Sequence, residues 1–385
     1  NAAVPAAIKL FAIAVTRPLQ SNLLTVRNCS IALPITLRQN ASMPIPMVNI
    51  VEFAHAVALL DRAASPTIVD RALRAAGINR EVLRAKSGFV PYAIEAAFLE
   101  SVARALGERH LGAQAGITFD YSAYGSYASY VLGARDLAMA IAHGRRALPL
   151  IIPGADIVLR KRRSHVLIGF KSGLGSMIGS RHVEEGAASV ITKVPRHFLG
   201  AEWRPAWVEM VGDDPADIAA LEDLYGVPVH AGAPMPAIAV RSVDLHAANP
   251  LPPALEDIVT LSDLPTLMGV AEPQTVEAAV REVVRTQFLL GDLSEDTVAR
   301  RLSMGRRKLQ RTLKSEGTSF REVRDQFIAA RARALLSNSE APIDEIARSL
   351  GYLEPNSFRR AFRKLNGLSP RAYRAAAHGK LSVSE

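Results

Sequence analysis

A chain of 385 residues is long enough for two or three domains, and 49% hydrophobic residues exclude a chain that is disordered throughout. The single cysteine, Cys29, excludes an intrachain disulfide, and the lack of an apolar run of roughly 18 residues argues against a membrane span, so we expect a cytoplasmic protein. The net charge is +9, but residues 273–385 hold 21 Lys and Arg against 13 Asp and Glu, which concentrates the positive excess near the C terminus.

Proline content and the spacing of apolar residues divide the chain into segments. Pro250, Pro252, Pro253 and Pro265 indicate a linker between two folded parts. The start is irregular, either disordered or translated from upstream of the native start, for which Met43 and Met47 are candidates. The predicted segments are a leader (1–46), a first domain (47–250), a linker (251–273), a second domain (274–378) and a tail (379–385).

The first domain mixes two kinds of spacing. Residues 48–116 carry apolar residues at helical intervals, which predicts helices. Asp156–Leu159 and His165–Phe170 are strand-like runs on either side of the basic turn 161–163, which predicts a hairpin. Trp207–Val211 and Ala237–Val240 predict further strands. We therefore expect an α+β domain.

The second domain reads as helices with recognisable ends. Thr275 is the predicted N-cap of a first amphipathic helix, and Ser294 is the predicted N-cap of the next. The triplet 303–305 predicts a turn. Residues 319–336 predict a long connecting helix, and Pro355 is expected in the first turn of a later helix, where its missing N–H costs nothing.

The second domain contains the same helical module twice. Residues 298–302 align with 346–350, and residues 309–314 align with 358–363. Each copy predicts a short helix, a tight turn and a second helix whose outer face is rich in Arg and Lys. Two such units in tandem favour two contacts with a DNA major groove, because their positive faces attract the phosphate backbone.

These residues resemble a known family. Ile346-Ala347, Leu350-Gly351-Tyr352, 358–363, Gly367-Leu368-Ser369-Pro370 and Tyr373-Arg374 together resemble the signature of the AraC-type transcriptional regulators. Weaker similarity at 124–127, 203–208 and 225–229 is to the family subset with an "arabinose-binding-like" N-terminal domain, a label that does not imply a sugar ligand. The resemblance implies an α+β sensor and dimerisation domain, followed by an all-α tandem helix-turn-helix DNA-binding domain.

The resemblance also assigns roles to exposed residues. Arg can bind guanine O6 and N7 through two hydrogen bonds, and Asn or Gln can bind adenine N6 and N7 in the same way. The expected base-reading residues are Arg307, Gln310, Arg311, Asn356, Ser357, Arg359 and Arg360. The expected phosphate-binding residues are Arg306, Lys308, Lys314, Arg363 and Lys364. Gly305 departs from the family, which usually has a serine N-cap there.

Four tyrosines recur every three residues in the first domain. Tyr121, Tyr124, Tyr127 and Tyr130 predict either ordinary packing or the wall of an effector pocket. We find no sequence pattern of a metal site, and the glycines at 173–179 lack the spacing of a nucleotide loop, so no cofactor is expected.

The sequence thus predicts a transcription regulator and no enzyme. Its expected partners are double-stranded promoter DNA, an unknown small-molecule effector, a second copy of the chain in a homodimer and, for an activator, RNA polymerase; no membrane partner is expected. The alternative is an enzyme or ligand-binding protein whose helix-turn-helix tail is vestigial.

Overall fold

The computed structural model describes residues 45–85, 87–271 and 273–379, so most of the predicted leader lies outside the described residues. The strands are β1 (Met47–Asn49), β2 (Phe89–Pro91), β3 (Asp156–Arg162), β4 (His165–Lys171), β5 (Val208–Glu209), β6 (Val229–His230) and β7 (Ala237–Arg241). The helices of the first part are α1 (Ile50–Ala63), α2 (Pro66–Ala76), α3 (Arg80–Leu83), α4 (Tyr92–Leu106), α5 (Leu111–Thr118), α6 (Ser126–Leu132), α7 (Leu137–Ala147), α8 (Ser180–Leu199), α9 (Pro215–Tyr225) and α10 (Leu264–Met268). The C-terminal helices are α11 (Val276–Leu290), α12 (Glu295–Arg301), α13 (Arg306–Ser315), α14 (Phe320–Asn338), α15 (Ile343–Ser349), α16 (Pro355–Asn366) and α17 (Pro370–Gly379). The predicted fold class, α+β followed by all-α, is confirmed.

A mixed sheet of five strands, in the order β3-β4-β7-β5-β6, forms within the described part of the first domain. The predicted hairpin is β3 and β4, which pair antiparallel around a turn in which Arg163 has a φ of 53°. The strand predicted at Trp207–Val211 is shorter than expected, since only Val208–Glu209 pairs with neighbouring strands. A short antiparallel pair supplements this sheet.

The short pair is β1 and β2, which lie inside the region predicted as purely helical. That prediction was wrong at these two strands because three residues are too few to show an alternating pattern. β1 runs straight into α1, where the Asn49 side chain caps the helix by accepting from the Val51 N–H at 2.9 Å. Ile45, which the prediction assigned to the leader, is buried in the core beside this pair.

The two C-terminal units repeat in their geometry as well as in sequence. The predicted N-caps Thr275 and Ser294 both accept a backbone N–H of the helix that they begin. Each unit turns through a left-handed residue, with φ of 53° at Ser303 in the first and 82° at Gly351 in the second. The backbone hydrogen bonds that close these turns match, with lengths of 2.9 Å (Met304 N to Ala299 O) and 3.0 Å (Tyr352 N to Ala347 O). The two units therefore adopt one local fold.

The two units differ in how their cores are connected. The core of the first unit, with Leu309 and Leu313, is continuous with that of the N-terminal domain through α11 and β2. The second unit has a separate core around Phe358 and Phe362, to which the second half of α14 contributes. The first unit is thus held by the N-terminal domain, whereas the second unit is attached to the first through α14.

Candidate nucleic-acid interface and buried cavity

The outer faces of α13 and α16 carry the residues predicted to contact DNA. Leu309 and Leu313 anchor α13 and are fully buried, and Phe358 and Phe362 anchor α16 at the same spacing. The opposite face of each helix must then point to solvent. Exposed there are Arg306, Arg307, Lys308, Gln310, Arg311 and Lys314 on α13 and Asn356, Arg359, Arg360, Arg363 and Lys364 on α16, while Ser357 is half-buried.

An acidic residue from the preceding helix holds one side chain of each face. The Gln310 amide donates to Glu295 at 3.1 Å, and Arg359, at the equivalent position of the second unit, donates to Asp344 at 2.6 Å. Glu295 also accepts from Arg306 at 2.9 Å. Sequence reasoning missed these contacts, because the alignment of 298–302 with 346–350 matches Asp344 with Asp296 and not with Glu295. They fix the orientation of Gln310 and Arg359 before any DNA is bound.

Other basic side chains of these faces are free to meet a ligand. Among the residues that the structure describes, Arg307, Lys308, Arg311 and Lys314 make no side-chain hydrogen bond or ion pair, and the same holds for Arg363 and Lys364. Arg360 has only a long hydrogen bond of 3.4 Å to the Ser357 hydroxyl. Their charges are therefore available to phosphates and base edges.

The first turns of α13 and α16 also lack side-chain caps. Gly305 and Glu354 make no capping hydrogen bond, in contrast to the capping serines and threonine that begin α11, α12 and α14. Open backbone N–H groups at a helix start bind anions well, since they add to the positive end of the helix dipole. The start of α13 is therefore open to an anion, whereas α16 follows the acidic Glu354 and begins with Pro355, which has no N–H to offer.

The helix between the units sets their separation. α14 has 19 residues, which corresponds to about 28 Å of helix. Successive major-groove segments on one side of a duplex lie about 34 Å apart. The length of α14 is close to that spacing.

The N-terminal domain contains a partly open cavity of about 160 Å³ between β3–β4 and several helices. Tyr121, Tyr124 and Tyr127 line it and contact each other, with ring centroids 5.2 Å (Tyr121–Tyr124) and 5.5 Å (Tyr124–Tyr127) apart. Tyr130 does not line it; its buried ring stacks on His143 at 4.1 Å instead. The structure brings three of the four predicted tyrosines together because the chain changes from a 3-10 turn to α6 at Gly125.

Two carboxyl groups in the cavity wall were not predicted from the sequence. Glu52 from α1 and Glu95 from α4 each have one buried oxygen without a hydrogen-bond partner among the described residues. Burial raises the pKa of Glu52 to about 7, against which a 3.4 Å hydrogen bond from the Tyr124 hydroxyl acts weakly. Burial, and then the nearby charge of Glu52, raises the pKa of Glu95 well above its ordinary range. Glu95 could have been noticed in the sequence, because it lies three residues after Tyr92 on the apolar face of a helix.

His182, the one histidine in the described lining of the cavity, is neutral at pH 7. Burial, followed by the charge of Arg181, lowers the pKa of His182 to about 4. Its Nε2 lies 3.2 Å from Glu100, but the geometry of that contact is not that of a hydrogen bond. No lysine or arginine is among the lining residues that the structure describes. The wall is therefore apolar, with acidic and phenolic groups and no cation.

Both halves of the chain match known families. Residues 68–249 match the family described as the arabinose-binding domain of AraC transcription regulators, N-terminal, and residues 298–376 match a helix-turn-helix domain family. The chain belongs to the AraC-type transcriptional regulators. It is a DNA-binding transcription regulator with an arabinose-binding-like sensor domain.

Known proteins that resemble this AraC-type regulator are regulators too. The Ornithine utilization regulator of Pseudomonas aeruginosa is 27% identical over 334 residues, which cover 85% of this chain and 97% of the relative. The HTH-type transcriptional regulator VqsM of the same species is 29% identical over 221 residues, 56% of this chain and 66% of the relative. The crystal structure of the transcriptional regulator CdpR from Pseudomonas aeruginosa has a TM-score of 0.33 and 24% identity, over 68% of this chain and 85% of that one.

The sensor and the first helix-turn-helix unit of this AraC-type regulator are in direct contact. Glu282 of α11 accepts the backbone N–H of Phe89 in β2 at 2.9 Å. Arg301 of α12 donates to the Ala76 carbonyl at the end of α2, at 2.8 Å. Its guanidinium lies against Gly77, where φ is +77° and a Cβ would fall about 2 Å from it. Glycine is thus required there both by the backbone and by the close approach.

The described part of the regulator has no helix that is long and apolar enough to cross a membrane.

Proposed function

We propose that this regulator places α13 and α16 in successive major-groove segments on one face of promoter DNA. The observation that carries the proposal is that α13 and α16 have equivalent basic faces, each opposite two buried apolar residues. The helix that connects them, α14, is nearly as long as the distance between successive major-groove segments. Arg311 and Arg360, which are exposed and weakly engaged, would read bases. Lys314 and Arg363 would bind phosphates. The regulator would act in the cytoplasm and not as an enzyme.

We further propose that a small molecule in the cavity controls DNA binding. Tyr92 and Glu95, at the start of α4, line the cavity, and β2 ends at the residue before Tyr92. β2 in turn donates the Phe89 N–H to Glu282 at the beginning of the DNA-binding domain. A ligand that displaces the start of α4 would therefore act on the first unit, provided that it binds one arrangement better than the other.

The N-terminal domain would also join two copies of the chain. Residues 1–272 are nearly neutral, so this domain adds little to non-specific attraction for phosphates. Dimerisation would instead raise the effective concentration of a second DNA-binding domain at a paired site. A dimer on two repeated half-sites would protect two pairs of groove segments instead of one. For an activator, RNA polymerase would be a further partner.

Removing the Glu282 carboxylate tests the proposed connection between the domains. Glu282→Ala leaves the Phe89 N–H without its acceptor, so we expect at least tenfold faster hydrogen exchange at this amide. Coupling of this kind contributes about 0.5–2 kcal/mol, and the free energy of DNA binding by the full chain should change by that amount. Hydrogen-exchange mass spectrometry and fluorescence anisotropy measure the two effects.

Glu277→Ala on the same helix is the matched control, because among the described residues the one ion-pair partner of Glu277 is Arg281, which lies on α11 itself. It should leave both the exchange rate and the affinity unchanged. Unchanged DNA affinity in Glu282→Ala, despite fast exchange at Phe89, would show that this contact does not transmit a signal.

A further inference from the structure

The cavity of the sensor domain combines three features that together select the charge of a ligand. Its wall holds two carboxyl groups with unpartnered buried oxygens, on Glu52 and Glu95, and Glu95 is only 6% exposed. Three tyrosine rings lie in contact in the same wall. Arginine and lysine are absent from the lining within the described residues, and His182 is neutral.

An anionic ligand does not fit this wall. A carboxylate or phosphate group would be buried without a positive partner and next to two acids, which costs far more than apolar contact returns. A neutral apolar ligand would fill space but leave the oxygens of Glu52 and Glu95 unpaired. A buried polar atom without a partner costs about 1–3 kcal/mol, so these oxygens favour a ligand that donates hydrogen bonds.

A primary ammonium group satisfies these requirements together. It offers three N–H donors, which match the free oxygens of Glu52 and Glu95 and one phenolic oxygen of the tyrosine cluster. Aromatic rings stabilise a cation placed over their faces, and the effect is stronger in a site that excludes water. The rest of the wall is built from apolar side chains such as Ile168 and Phe170, which suit a hydrocarbon body.

The size of the cavity limits that body. The volume of about 160 Å³ is similar to that of an engineered cavity of about 150 Å³ that binds benzene. The buried part of the ligand therefore has roughly the bulk of one six-membered ring and no second charged group, since the described wall offers no cation to pair with it.

We propose that the sensor cavity binds a compact organic amine, with its ammonium group between Glu52 and Glu95 and its apolar body against β3–β4 and α8. The inference rests on the proposed function, in which this cavity receives the effector. Burial raises both pKa values, so near neutral pH the carboxyl pair holds more protons before binding than two exposed glutamates would. Binding of the ammonium ion converts a carboxyl group to a carboxylate, and the released proton passes to solvent.

Three ring compounds of equal size and different charge test the proposal on the full chain. They are benzylamine, benzyl alcohol and benzoate, each titrated by calorimetry at pH 7 in two buffers of different ionisation enthalpy. We expect benzylamine to bind at least tenfold tighter than benzyl alcohol, with release of a fraction of a proton up to one, and benzoate not to bind. Tightest binding of benzoate, or equal binding of amine and alcohol without proton release, would overturn the proposal.

Amide variants locate the ammonium group. Glu52→Gln and Glu95→Gln should each weaken benzylamine binding about tenfold, since a hydrogen bond to a charged group is lost, and should leave benzyl alcohol binding unchanged. Glu81→Gln, at an exposed position on α3, is the control and should bind like the parent chain. Unaltered benzylamine affinity in both cavity variants would refute the assigned position.

The proton balance involves every titratable group of the wall. The groups that face the carboxyl pair are Tyr92, Tyr121, Tyr124, Tyr127 and His182, with Glu184 acting on Tyr92 from α8. Burial raises the tyrosine pKa values and lowers that of His182, so these groups do not titrate near pH 7. Burial also raises the pKa of Glu184 to about 7, but Glu184 is not among the lining residues. Glu52→Gln and Glu95→Gln should therefore reduce the proton release if the proton comes from the cavity pair.

The two hypotheses fail in different ways. Benzylamine that binds as expected without altering DNA affinity would support the ligand class and contradict effector control through this cavity. A different molecule that binds the cavity and alters DNA affinity, while benzylamine does not bind, would contradict the ligand class and leave the proposed function intact.

Discussion

Replacing Arg311 or Arg360 with alanine is expected to weaken binding to the correct DNA site by about 1–3 kcal/mol each. Both side chains are exposed at equivalent positions of the two units, and neither is held by an acid, unlike Gln310 and Arg359. Each variant should also relax the base preference at its own position in the site. Fluorescence anisotropy with a panel of single-base substitutions, at one salt concentration, measures both effects.

Lys314→Ala and Arg363→Ala are the matched controls for these two variants. They remove one positive charge one turn further along the same helices, where we expect phosphate contacts. Binding to all sequences should weaken alike, and the slope of log affinity against log salt should fall by about one. Equal, sequence-independent losses in all four variants would contradict the division between base-reading and phosphate-binding residues.

Glu52→Gln is expected to stabilise the regulator above neutral pH. Folding raises the pKa of this carboxyl from 4.5 to about 7, so the folded state binds a proton more tightly than the unfolded state. The free energy of unfolding therefore falls as pH rises from about 4.5 to 7, and above pH 7 the folded protein bears the whole destabilisation caused by the ionised Glu52. One pKa unit is worth about 1.4 kcal/mol, and because Glu52 is half-buried we expect a gain of about 2 kcal/mol at pH 8.

Urea denaturation at pH 4.5 and at pH 8 measures this difference. Glutamine keeps the shape of the side chain and an acceptor for the Tyr124 hydroxyl, so the variant and the parent chain should be nearly equal at pH 4.5. Glu81→Gln should have no effect at either pH, since Glu81 is exposed. A Glu52→Gln chain that is less stable at pH 8 would show that the carboxylate has a favourable partner in the folded protein.

The sequence predicted features that depend on neighbouring residues and missed those that depend on distant ones. The caps at Thr275 and Ser294 and the basic faces of both units follow from spacing within one or two turns. The β1–β2 pair joins segments some forty residues apart, and each strand is too short to leave a pattern. The contact between Glu282 and Phe89 spans 193 positions, and its donor is a backbone N–H that any residue could supply.

The cavity could be predicted from the sequence only in part. Regular spacing singled out the tyrosines, but spacing alone did not separate the three that line the cavity from Tyr130, which is packed on His143. Glu52 and Glu95 become a pair only when α1 and α4 are packed together. A local pattern identifies a polar residue on an apolar helix face, and only the packing shows what lies opposite.

Hydroxyl-radical footprinting of the full chain on its own promoter tests the central claim most directly. Two helix-turn-helix units on one face of the duplex predict protected segments in pairs whose centres lie about 10 base pairs apart, and a homodimer predicts two such pairs. Arg360→Ala should weaken protection at one segment of each pair and leave the register unchanged. Protection confined to a single groove segment per half-site, unaltered by Arg360→Ala, would contradict tandem recognition by α13 and α16.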